Sequence, residues 1–147
     1  MILKKDKKAK SLSYFCKDKF KIIDLNWIFK FLKNKNKNIS RICIHQNSKS
    51  ELHQMIIYQK KNYRSEIKYH PKKEKSYHLL KGKQKILIYK KDRTISKTIT
   101  LNSKNSFFYM EQKVIHSNTT VSNDSLHIET IKGPLDKKDR IYIYEKK

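Results

Sequence analysis

Histidine is the residue in this chain best suited to chemistry near neutral pH, and there are six: His45, His53, His70, His78, His116 and His127. All lie beyond residue 40, where short apolar runs alternate with polar turns. Imidazole can ligate a metal or move a proton. His78 and His127 read as surface or internally satisfied rings. His70 and His116 are the stronger pair. His70-Pro71 leads through a polar loop to Ser76–Leu80 and Gly82, so His70 is expected to open a β-hairpin; His116 falls in a later strand. In a closed barrel, inward side chains from distant strands share one interior.

The elements that would position them are mostly strands. Apolar runs at 42–45, 52–58, 76–80, 85–89, 94–101, 107–110, 114–121, 126–131 and 140–144 predict an all-β sandwich or barrel. Lys90-Lys91-Asp92-Arg93 is a hairpin turn between two of them. Gly82 reads as a tight turn, where positive φ costs glycine nothing. Gly133-Pro134 reads as a strand stop. Thr94–Leu101 should place Ile95, Ile99 and Leu101 on one side. Before residue 39 the pattern differs. Asp24 can cap a helix over Leu25–Leu32, with Trp27, Ile28, Phe31 and Leu32 on its apolar face. Residues 1–20 are lysine-rich and are expected to be poorly ordered. The chain therefore divides into a basic N-terminal segment, 1–38, with a short helix, and a β-barrel domain, 39–147.

Composition bounds the partners. Among 147 residues, Lys and Arg total 36 against 13 acidic residues, a net charge of +23. Only four of the basic residues are Arg: Arg41, Arg64, Arg93 and Arg140. Arginine is the residue that grips phosphates and guanine edges in a fork, so a specific nucleic-acid partner is not expected. Abundant Ile, Lys and Asn with little Ala, Gly, Pro and Val fits AT-rich coding sequence, in which lysines gather on solvated surfaces. No apolar run approaches the roughly 20 residues of a spanning helix. No apolar stretch follows the charged start MILKKDKKAK as in a secretory signal. Cys16 and Cys43 form neither a zinc pattern nor a disulfide framework. A cytoplasmic setting is expected.

Several blocks, taken in order, carry a family resemblance: Arg41-Ile42-Cys43-Ile44-His45-Gln46-Asn47, Glu51–Ile57, Tyr69-His70-Pro71, Lys73–Gly82, Ile86–Tyr89, Phe107-Phe108-Tyr109, Val114-Ile115-His116, His127-Ile128-Glu129-Thr130 and Gly133-Pro134-Leu135. Together they resemble the WbuC-type cupin-fold proteins over residues 39–136. The resemblance implies a small jelly-roll (cupin) barrel associated with surface-polysaccharide sugar biosynthesis. It also implies a site for one divalent metal, made by His-x-His, a Glu and a further His. By position those ligands fall on Lys68, His70, Lys75 (with Glu74 one residue earlier) and His116. The metal candidates are thus His70, His116 and Glu74. A lysine ammonium has no lone pair to donate and repels a cation, so three readings stay open: one divalent metal in the barrel, an anion pocket at the two lysines, or no ligand.

Lys68, Lys75, His45 and His53 are the ligand-binding candidates, and His70, His116 and Glu129 the catalytic ones. The expected ligand is a small molecule: a sugar carboxylate or nucleotide sugar. A homodimer is compatible with the fold. The alternatives are a non-catalytic binder on a degenerate barrel, and a basic protein that binds nucleic acid nonspecifically.

Overall fold

The computed structural model describes residues 1–144; the last three residues of the expected 39–147 domain lie outside them. In chain order the elements are β1 (Leu3–Lys5), β2 (Leu12–Cys16), α1 (Leu25–Lys33), β3 (Ile39–Cys43), β4 (Leu52–Lys60), β5 (Lys68–Tyr69), β6 (Lys75–Lys81) and β7 (Gln84–Tyr89). They continue with β8 (Ile95–Leu101), β9 (Phe107–Met110), β10 (His116–Thr120), β11 (Asp124–Lys132), a single 3-10 turn (Lys137–Asp139) and β12 (Ile141–Tyr142).

The strands form two sheets, β1-β2-β3-β4-β11-β6-β9 and β12-β5-β10-β7-β8. They face each other as a jelly-roll barrel with one helix, as the run of short strands predicts. Alternation along each strand sets the two faces. On β4, Met55, Ile57 and Gln59 point inward, whereas Ile56 and Tyr58 point out beneath α1. Gly82 (φ +87°) turns the chain from β6 in one sheet to β7 in the other. A Cβ there would sit 2.3 Å from the Asp124 carbonyl oxygen, so no larger residue fits. Gly133 follows β11 where the chain runs close against the Ser50 carbonyl and the His53 ring.

Four expectations need correction. Residues 1–20 are not loose: β1 pairs with β2, and β2 pairs in parallel with β3. The strands were hard to see because β1 is short and lysine-rich, and in β2 only Ser13 and Cys16 are fully buried while Tyr14 and Phe15 pack against the core partly exposed. On α1, Ile28 and Leu32 are buried as expected, but Trp27 is 43% exposed. His70 does not open a hairpin. It follows β5 in the five-stranded sheet, and the chain then crosses to β6 in the other. Finally, β8 buries Leu101 but leaves Ile95 exposed, because it is an edge strand.

The helix is tied into the barrel. Asp24 accepts a hydrogen bond from the Trp27 backbone N–H at 3.0 Å and caps the helix start. Ile28 and Leu32 pack with Cys16, Ile42, Ile56, Tyr58 and Leu126 in one cluster. The 1–38 segment and the barrel therefore share a core. Leu32→Ala is expected to cost about 2–5 kcal/mol in urea unfolding. Ile22→Ala, at a position 97% exposed, should stay within about 0.5 kcal/mol. A near-neutral Leu32→Ala would mean the helix is not part of the cooperative unit.

Candidate functional site

His116 lies on β10, opposite Lys68 of β5 in the ladder, so both project from the same face. On the facing sheet, Lys75 and Tyr77 of β6 share a face with His127 and Glu129 of β11, and Glu129 pairs directly with Tyr77. These residues meet inside the barrel. The rings of His70 and His116 have centroids 6.1 Å apart. Lys75 Nζ lies 3.6 Å from Glu129 Oε2 and 4.7 Å from the centre of the Tyr77 ring.

The hydrogen bonds of the two histidines fix their tautomers. His70 Nδ1 lies 2.7 Å from the Asp139 carbonyl oxygen, and His116 Nδ1 lies 2.8 Å from that of Val114. A carbonyl can only accept, so each Nδ1 carries the proton and donates it. Each Nε2 then keeps its lone pair, and both Nε2 atoms are buried without a partner. Lys75 Nζ is also buried without a hydrogen bond; 3.6 Å is an ion-pair distance, too long for a hydrogen bond.

Charge in this space is unbalanced. Glu129 is the acid that Lys75, Lys68 and Arg140 all act upon. Burial alone would raise its carboxyl, but Lys75 and Lys68, with His127 and Arg140, hold it well below the usual range. Burial pushes Lys75 down to about 7; Glu129 opposes that, while Lys68 and Arg140 add to it. Burial likewise lowers Lys68. It pushes His70 down to about 4, with help from Lys75, and holds His116 well below its ordinary value.

A polar belt crosses the interior beside this cluster. The Gln84 amide nitrogen lies 2.8 Å from Ser125 Oγ, 2.9 Å from His127 Nδ1 and 3.0 Å from Gln59 Oε1. Thr120 reaches Gln59 at 3.1 Å and Ser125 at 2.8 Å. His127 is thus an internally satisfied ring, as expected. His78 is exposed against Phe107.

Residues 136–142 run beside His70. Asp136 caps the 3-10 turn by accepting from the Lys138 N–H, and Lys73 pairs with Asp139 at 3.1 Å. Arg140 bonds the Tyr142 hydroxyl at 3.2 Å.

Of the residues singled out from sequence, Lys68, His70, Lys75, His116 and Glu129 come together. Glu74 does not. It is exposed, on the opposite face from Lys75, where it raises the pKa of the Tyr109 hydroxyl. One step along a strand reverses the side chain, and the register of β6 against β9 and β11 is regular at Lys75. Glu74 is therefore no ligand to this interior. His45 and His53 form a stacked pair of their own, with ring centroids 4.0 Å apart. His45 Nδ1 lies 3.1 Å from the Gln54 carbonyl oxygen and 3.2 Å from the Gln54 backbone nitrogen, and serves one of them at a time. Tyr77, His127 and Arg140 were not singled out as site residues. For Tyr77 and His127, the alternation with Lys75 and Glu129 is the signal that could have found them.

The donor set does not fit a divalent metal. Among the described residues no group of three or more His, Cys, Asp or Glu could hold one. Two imidazole lone pairs remain, and Glu129 is already paired with an ammonium. Cys16 and Cys43 are buried free thiols.

No protein-family model matches the sequence, and no curated protein matches it in sequence. Solved structures do match in shape. The capsular polysaccharide assembling protein CapF from Staphylococcus aureus superposes with a TM-score of 0.59 at 11% identity, over 71% of this chain and 31% of CapF. DMSP lyase DddQ from Ruegeria pomeroyi gives 0.57 at 14% identity, over 73% of this chain and 52% of the lyase. The chain folds as a cupin barrel. Oxalate decarboxylase from Bacillus subtilis gives 0.55 at 10% identity, over 71% of this chain and 27% of the enzyme. The barrel spans between about a quarter and a half of these proteins, and identities this low speak for fold alone.

The buried groups give the barrel a definite response to acid. Unfolded histidine takes up a proton near pH 6.5, whereas His70 and His127 in the fold resist until about 4. Their contribution is complete above pH ~6.5 and is lost as pH falls toward 4. Glu129 acts in the same direction below its unfolded value of ~4.3. Resistance to urea should therefore rise from pH 4.5 to 6.5, and His70→Asn should flatten that rise. A midpoint that is level across this window in the parent protein contradicts the burial of neutral imidazoles.

Proposed function

We propose that this cupin barrel is a metal-independent binder of a small anionic ligand, held by Lys68 and Lys75. The observation that carries this reading is the surplus of positive charge in the interior. Lys68, Lys75 and Arg140 act on one carboxylate, and Lys75 Nζ has no hydrogen-bond partner. A buried, incompletely paired ammonium is costly unless an anion completes it.

The unprotonated Nε2 atoms of His70 and His116 complement the lysines. Each can accept a hydrogen bond from a hydroxyl, while Lys68 and Lys75 receive a carboxylate or phosphate. A ligand with both, such as a sugar acid or nucleotide sugar, matches that pairing. If catalysis occurs, His70, His116 and Glu129 are the groups placed to move a proton. The WbuC-type resemblance over residues 39–136, and the shared fold with a capsular polysaccharide assembling protein, support a place in surface-polysaccharide sugar chemistry. The second reading is a binder without catalysis, favoured by the missing metal ligands.

Thermal shifts should separate charge from sugar shape. With EDTA present, glucuronate or UDP-glucuronate should stabilise the protein and glucose should not. Lys68→Met, at a partly exposed position, should weaken that binding about 10-fold or more, since a hydrogen bond to a charged group is worth roughly 1.5–3 kcal/mol. Equal shifts with glucose, or binding that EDTA abolishes, would remove this reading. Untagged protein dialysed against zinc or manganese should hold substoichiometric metal.

A further inference from the structure

Outside the barrel, the segment that leads into α1 exposes large apolar side chains. Phe20 is 86% exposed and Ile22 97%, with Leu25 at 39% and Trp27 at 43% close behind in sequence. Trp27 stacks on Phe31 with ring centroids 5.1 Å apart and planes 14° from parallel. Lys35 Nζ sits 4.2 Å from the centre of the Phe31 ring. Between residues 17 and 35 there are six lysines and two aspartates. Both aspartates are engaged: Asp24 caps the helix, and Asp18 accepts from the Ile2 backbone N–H at 2.7 Å.

Single exposed apolar residues are ordinary, but four within eight positions, set among lysines, form a patch. Phe20 and Ile22 contribute almost nothing to the described fold, since both lie almost wholly in solvent. We propose that it is a docking surface for an anionic lipid bilayer.

Three arguments select this occupant. The lysines provide attraction to anionic headgroups, each contributing within a Debye length of the surface. Phe20, Ile22 and Leu25 provide apolar groups for the acyl boundary, and an indole such as that of Trp27 favours the headgroup level. Lysine stems can lie along the apolar layer while their ammonium groups stay in water. A nucleic acid would use the charge and stack on aromatic rings, but it offers nothing to the aliphatic Ile22 and Leu25. A second copy of the chain would bring its own lysine rim against this one, and a net charge of +23 opposes that approach. Attachment would be peripheral: no helix among the described residues is long and apolar enough to cross a membrane.

Trp27 is the only tryptophan in the chain, so its fluorescence reports on this surface alone. Vesicles of equal parts phosphatidylglycerol and phosphatidylcholine should shift its emission to the blue and co-sediment with the protein. Vesicles of phosphatidylcholine alone should do neither. F20S/I22S should keep the parent's circular dichroism and urea midpoint, yet lose at least about 10-fold in vesicle affinity, as expected when two apolar anchors are removed. K19E/K21E should weaken binding and reduce its dependence on salt. Unchanged vesicle affinity in F20S/I22S overturns the proposal, because it leaves charge as the only attraction. An unmoved Trp27 emission overturns it too, as does a dimer that F20S/I22S dissociates while vesicles bind neither form. Glucuronate binding should be the same in both variants and the parent, which keeps this test apart from that of the barrel interior.

Discussion

A buried ammonium facing a buried carboxylate is the constraint around which the rest of this barrel is arranged. Removing two charges from water costs several kcal/mol each, and their attraction offsets this only with good geometry and further hydrogen bonds. Lys75 and Glu129 stand 3.6 Å apart, and Lys75 Nζ makes no hydrogen bond. The surroundings supply part of what is missing. The Tyr77 ring lies beside the ammonium, and the neutral faces of His70 and His116 turn lone pairs toward the same interior. The belt of Gln59, Gln84, Thr120, Ser125 and His127 then joins this polar region to the facing sheet by hydrogen bonds rather than apolar contact. Such a core specifies one register, because a one-residue slip would send every member of the belt to the outer face.

Strands with an inward face were readable from sequence because burial leaves a period of two. The expected runs at 52–58, 85–89, 107–110 and 126–131 fall within β4, β7, β9 and β11. The Lys90–Arg93 turn is also where expected, with Arg93 at φ 71° closing it. The helix was legible through its cap and its Ile28 and Leu32 spacing. What failed were elements whose partners are far away in sequence. Strand β1 carries Lys4 and Lys5 and is only three residues long, and β2 lies between β1 and β3, which together supply its ladder. Strand β5 is only two residues long, too short for any period. Without it, the crossing from His70 to Lys75 looks like a hairpin, although it joins two sheets.

The site was legible in a different way. Position against a family pattern brought Lys68, His70, Lys75 and His116 forward, and alternation explains why Glu74 is not among them. Arg140 could not be read in the same manner. It reaches the cluster through the segment that follows Gly133-Pro134, whose path is set by Lys73, Asp136 and Asp139 contacts. His127 is internally satisfied, one of the two readings open to it from sequence, and its closeness to Glu129 follows from the shared face of β11.

Charge on the outside and charge on the inside of this molecule call for different explanations. An exposed lysine costs almost nothing, so a coding bias toward lysine can scatter many of them over a surface without purpose. Lys75 is 2% exposed, and compositional drift alone gives no account of a lysine held there. Drift toward a harmless residue would have left an apolar side chain, which fills the same volume without an ion to stabilise. The pair, with two imidazoles whose Nε2 atoms are buried without a partner, is the feature on which the proposed anion-binding reading rests. The +23 charge of the whole chain is spread over solvated surface, whereas Lys75 is buried against Glu129, and only the second carries an energetic cost that its surroundings must offset.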